Sequence, residues 1–181
     1  MRILVAFFVI SLLFSCKDEL KTKHLQEISA MEQDLDSLSN VANDTTQRRP
    51  VNLNMNVQKT IQKVKNNYLP DTINYAVAKM MNNYKEIKKA VMSNSGNLAK
   101  VKQSIPEVRQ KVEDLKHDID NGVGEREKYE EYINFEKKKI ADIEEVLNYY
   151  LETRNKFYNR YDSLHPIVTN FADSLLNAKK N

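Results

Sequence analysis

One spacing constrains this chain more than any other. Leu98, Val101, Ile105, Val108, Val112, Leu115 and Ile119 follow one another at intervals of three and four residues. An α-helix turns once every 3.6 residues, so these positions share one stripe along a helix. A strand would need apolar residues at every second position, and the positions between these are mostly charged or polar.

The same spacing recurs along the chain. Tyr129, Ile133, Ile140, Ile143, Leu147, Tyr150, Phe157, Tyr161 and Leu164 lie on one longer seam, which also takes in Glu136 and Arg154. Ile28, Met31, Leu35, Leu38 and Ala42 mark an earlier stripe in a helix expected over 20–41. Val57, Ile61, Val64 and Tyr68 mark another. Ile73, Val77, Met80, Tyr84, Ile87 and Val91 mark one more. A repeat close to 3.5 residues, sustained over several heptads, predicts helices that wind around a partner.

The breaks between stripes are short. The polar stretch 43–56, with Pro50 in it, reads as a linker or loop. Pro70 ends or kinks the helix before it, and Asp71 is placed to cap the next. Residues 93–97 read as a turn, and Asp120-Asn121-Gly122-Val123-Gly124 as the sharpest turn of all. Pro106 falls inside the cleanest stripe. The phase is kept across it, which favours one kinked helix over a new start capped by Ser104. The last long helix is expected over 125–164, with His165-Pro166 interrupting it and Ile167, Phe171 and Leu175 in a short helix beyond. Only three glycines and four prolines punctuate 181 residues, which leaves little room for a turn-rich β fold. The expected fold is all-α: an elongated antiparallel helical bundle or coiled-coil hairpin, with the bundle domain over 57–181.

The N-terminus has a different character. Arg2 is followed by residues 3–14, which carry no charge and one polar side chain, Ser11. A membrane-crossing helix needs about 20 apolar residues, so this run is short for one and fits the core of a secretory signal. The only cysteine, Cys16, sits where the run gives way to Lys17, Asp18, Glu19, Lys21 and Lys23. A lone cysteine in an exported chain is either a free thiol or a modified one.

Leu12-Leu13-Phe14-Ser15-Cys16 resembles the lipobox of bacterial lipoproteins. The resemblance implies removal of residues 1–15, a diacylglycerol thioether on Cys16 and N-acylation of the new terminus. Residues 16–56 then form the lipidated N-terminus, first helix and linker. Several acyl chains hold far better than one, since each buried methylene adds roughly 0.8 kcal/mol. Lys17-Asp18-Glu19 resembles the lysine-plus-acidic export signal of Bacteroidota surface lipoproteins, which favours the cell surface over the periplasmic face of the outer membrane.

Chemistry is sparse. The three histidines are His24, His117 and His165. Di-metal bundles use paired Glu-x-x-His motifs; the nearest approach, Asp114-x-x-His117, points away from the stripe and has no second copy. Serines fall in caps and turns, no serine is bracketed by glycines, and the Gly122 turn lacks the strand that a phosphate loop follows. No catalytic, metal or cofactor residues are assigned, and an enzyme is not expected. Net charge is +3, with both signs interspersed, so no basic stripe for nucleic acid is visible.

Aromatic residues crowd the last long helix. Tyr129, Tyr150, Phe157 and Tyr161 lie on its seam and read as core. Tyr132, Phe135, Tyr149 and Tyr158 flank the seam and are placed to cover a neighbouring helix or a partner. Glu136 and Arg154 either fix register and partner choice or face water. The functional expectation is a lipid-anchored structural or adaptor protein, associating with a protein partner or with itself through its seams. The alternative is a surface module that captures a peptide, glycan or host ligand on the tyrosine-rich helix.

Overall fold

The computed structural model describes residues 2–44, 50–72, 74–92 and 95–179, with side chains from Glu19 onward except over 89–95. Among these residues there are five α-helices and no strand: α1 (Arg2–Ala42), α2 (Pro50–Asn67), α3 (Tyr75–Met92), α4 (Ser95–Asn121) and α5 (Tyr129–Ala178), with a 3-10 turn at Arg126–Lys128. The protein is an all-α helical bundle, and the apolar stripes are its cores.

The breaks differ in detail from the sequence expectation. The loop expected over 43–56 is narrower, because α2 begins at Pro50. Proline suits a first helical turn, where its missing N–H would have no partner in the helix. Asn74, not Asp71, caps α3: its Oδ1 accepts the Val77 N–H at 3.2 Å. Part of the turn expected at 93–97, Ser93 and Asn94, lies outside the described residues. α4 runs through Pro106 as one helix.

The expected interruption at His165-Pro166 does not occur; α5 continues to Ala178. An internal proline costs a helix about 3 kcal/mol. Here Tyr161 before it and Val168 and Ala172 after it are all buried. Each large apolar side chain removed from water contributes roughly 1.5–3 kcal/mol, so packing on both sides of Pro166 outweighs the lost hydrogen bond.

The chain divides into two compact units, each assembled from two stretches of sequence. The first takes Met1–Asn43 and Lys100–Glu145. Lys21 meets Asp120 and Asp36 meets Arg109, so α1 and α4 run antiparallel. Lys23 meets Glu130 and Glu27 meets Lys137, so α1 and the start of α5 run parallel. The edge-on ring pair of His24 and Tyr129 sets the register. The common spacing then carries it down the unit. Extended by that spacing, the register places Ile28, Leu115 and Ile133 at the next level, then Met31, Val112 and Glu136, then Leu35, Val108 and Ile140. All of these are buried.

The second unit takes Asp44–Ala99 and Val146–Asn181. Asn56 meets Tyr161 and Lys63 meets Asp173, so α2 and the rest of α5 run parallel. α3 folds back on α2. Its core gathers Val57, Val64, Met81, Tyr84, Ile87, Phe157, Tyr161, Val168 and Ala172.

Candidate functional site

The sequence singled out Cys16 and four aromatic residues. Cys16 lies within α1, whose backbone is helical from Arg2, but its side chain lies outside the described residues. Among the described residues, no helix is long and apolar enough to cross a membrane.

The four aromatic residues do not share one environment. Tyr132 and Phe135 belong to the first unit and are exposed. The Tyr132 hydroxyl donates to a Glu125 carboxylate oxygen at 3.3 Å, and the Lys139 ammonium lies 4.3 Å from the centre of the Phe135 ring. Cation–π contacts of this exposed kind contribute about 0.5–1 kcal/mol. Tyr149 and Tyr158 belong to the second unit. Tyr149 is exposed, whereas Tyr158 is buried and packs against Phe157 with ring centres 5.7 Å apart. Tyr158 therefore covers its own core, and of the two roles open to it in the sequence it takes the internal one.

The polar residues of the seam also separate. Glu136 is buried; one carboxylate oxygen accepts from Lys139 at 3.1 Å and the other has no hydrogen-bond partner. The Arg154 guanidinium lies between the rings of Tyr150 and Tyr158, at 5.8 and 5.9 Å, with its Nε unpartnered.

A cluster not read from the sequence lies in the second unit. The Tyr84 hydroxyl and Nδ1 of His165 are 2.5 Å apart, and Thr60 hydrogen-bonds to the same hydroxyl. The His165 ring stacks on Tyr161 with centres 4.4 Å apart. Burial pushes the Tyr84 phenol up to about 12, with the bond from Thr60 opposing and Tyr161 adding to the rise. Burial also pushes the His165 imidazole down. The bond from Thr60 lowers the Tyr84 phenol, as a donor to its oxygen does, and with a neutral imidazole alongside this assigns the directions. Thr60 donates to the Tyr84 oxygen, Tyr84 donates to Nδ1, and the imidazole proton sits on Nε2. This chain ties α2, α3 and α5 together. The signal was hidden because His165 precedes Pro166 and Tyr84 falls on an ordinary core position.

The second unit also carries a shallow apolar cavity of about 300 Å³ between α2 and α3, lined by Val64, Tyr68, Pro70, Val77, Ala78 and Met81 with Lys65 and Asn74. Leu69, on the chain connecting those helices, and Tyr75, the first residue of α3, are each 79% exposed.

The turn from α4 to α5 is a built feature of the first unit. Gly122 has φ +60° and Gly124 φ +79°, which favours glycine at both. The Gly122 N–H donates to Ile119 O and the Val123 N–H to Asp118 O, the paired bonds of a Schellman helix end. The Tyr129 hydroxyl binds the carbonyls of Asp118 and Val123. Glu125 pairs with Lys128, which holds its carboxyl below the usual range.

Among the described residues, no three His, Cys, Asp or Glu side chains converge to hold a metal. Asp114 bonds to Gln110 instead, and His117 to Asn121. The chain matches no known protein family, no curated protein and no solved structure.

Proposed function

We propose that this chain is a lipid-anchored adaptor of the bacterial outer membrane, displayed at the cell surface, which tethers or scaffolds a protein partner. The observation that carries the reading is the segment Leu12-Leu13-Phe14-Ser15-Cys16, lying between an uncharged run and a charged body. The helical body supports it. α1 leads from Cys16 into the core of the first unit, so a force on the anchor is borne by packed helices. Two or more acyl chains make such an anchor stable where one is marginal.

Labelled palmitate and membrane fractionation test it. The wild-type chain takes up palmitate and sediments with outer membranes, and Cys16→Ala does neither. If Cys16→Ala fractionates with the membrane as tightly as wild type, the reading fails.

The second reading is a surface module that binds a peptide, glycan or host ligand. It draws on exposed Phe135 and Tyr149, since exposed aromatic rings are characteristic binding anchors. Its test is retention of a purified ligand class by wild type and its loss in Phe135→Ser and Tyr149→Ser.

A further inference from the structure

We propose that the α4–α5 turn of the first unit is a membrane-facing tip, with Val123 and Leu20 seated in the headgroup layer of the bilayer that holds Cys16. The inference rests on the lipid-anchor reading of Cys16 and adds to it which surface meets the lipid.

The geometry runs along one helix. Leu20 lies four residues after Cys16 on α1, about 6 Å along the axis. Acyl chains on Cys16 therefore place the start of the unit at the interface, with no long tether between. Leu20 is itself exposed.

The turn is at this same end. The Lys21 ammonium donates to Asp120 O at 2.7 Å and lies 3.7 Å from the Asp120 carboxylate. Asp120 is followed closely by the turn, and the His24 ring meets that of Tyr129 just beyond it. Whatever brings Leu20 to a surface brings the turn with it.

The Val123 backbone serves the turn, but its side chain is not part of the buried core. In a Schellman end the residue after the left-handed position commonly packs on an apolar residue one turn back. Here that position holds Asp118, and Val123 is 46% exposed. The Tyr129 hydroxyl, bound to the carbonyls of Asp118 and Val123, ties the backbone of the turn that carries this side chain. The surrounding charges lean acidic: Asp118, Asp120, Glu125 and Glu127 stand against Arg126 and Lys128, with Lys21 on Asp120 and Lys128 on Glu125. Apolar side chains within a slightly acidic rim suit a zwitterionic headgroup layer and are repelled by a strongly anionic surface.

The test uses the lipidated full-length chain, in which acylation occupies Cys16. Val123→Cys and, as control, Val41→Cys are each labelled with the fluorophore NBD. Val41 is also exposed and lies on α1 roughly 30 Å beyond Leu20. In zwitterionic vesicles of phosphatidylethanolamine and phosphatidylcholine, the label at 123 shifts to the blue, brightens severalfold and is quenched by spin-labelled lipid, and the label at 41 does none of these. Vesicle-bound protein with both labels equally exposed to water overturns the inference while leaving the anchor intact. Shielding at 123 in native membranes but not in vesicles assigns the tip to a protein partner and also overturns it. Failure to bind vesicles overturns the anchor reading and this inference with it.

Discussion

The Tyr84 hydroxyl donates to Nδ1 of His165 over 2.5 Å, joining α3 to α5 inside the second unit. Thr60 of α2 donates to the same phenol, so one hydroxyl serves three helices. Removing that hydroxyl leaves two polar groups, buried Thr60 and half-buried His165, without their partner. A lost partner of this kind costs about 1–3 kcal/mol. Tyr84→Phe is therefore expected to lower unfolding free energy by about that amount in urea titration. The double variant Tyr84→Phe/His165→Leu recovers part of the loss. Equal stability of Tyr84→Phe and wild type would show that water satisfies both groups.

The same pair makes stability depend on pH. Burial disfavours the charged imidazole, so the folded pKa of His165 lies below its ordinary value near 6.5. The unfolded chain then binds the proton more readily than the folded one. The stabilisation is complete above about pH 6.5 and is lost as pH falls through the folded pKa. Protonated Nδ1 also ceases to accept from Tyr84. Urea midpoints measured from pH 7.5 down to 5 should fall for wild type and fall less for His165→Gln. Parallel curves would remove His165 as the cause.

The cores were legible because burial in a helix imposes a period. Ile28, Met31, Leu35, Val101, Ile105, Val108 and Val112 were read as stripes and are buried. Helix ends were less legible, because they depend on which local bond wins. Asp71 and Asn74 are both competent caps, and only the geometry of the Val77 N–H selects Asn74. Local propensity alone makes Pro166 a break, whereas buried Val168 and Ala172 decide the outcome through packing. Tyr158 shows the limit for surfaces: it flanks the seam as Tyr149 does, yet it is buried and Tyr149 is not. Position on one helix does not say which neighbours arrive beside it.

Glu136 tests what a charge in a seam is for. It is buried in the first unit, as Met31 and Val112 are, and one carboxylate oxygen has no partner. Replacing buried ionic groups by apolar residues of similar volume is often neutral or stabilising, by up to about 4 kcal/mol. Glu136→Leu should raise the unfolding free energy, and Lys139 loses little because its end is already solvated. A fall in stability, or a change of oligomeric state by sedimentation, would instead assign Glu136 to fixing register or partner choice.

The two glycines of α4 and its end should respond oppositely to the same change. Gly122 has φ +60°, and a Cβ there would come within 2.9 Å of the Arg126 guanidinium. The guanidinium can swing aside, but the left-handed backbone still costs a Cβ-bearing residue roughly 1–2 kcal/mol. Gly96 lies in the first turn of α4, and nothing lies within 4 Å of a Cβ built on it. A helical glycine gives up about 0.5–1 kcal/mol relative to alanine, somewhat less near a helix end. Gly122→Ala should therefore lower the melting temperature and Gly96→Ala raise it, with Gly122→Asn intermediate because asparagine tolerates the left-handed region. The sign at Gly122 also bears on function. If Gly122→Ala melts as wild type does, the turn adopts another conformation at no cost, and Val123 is not held outward by the backbone that displays it here.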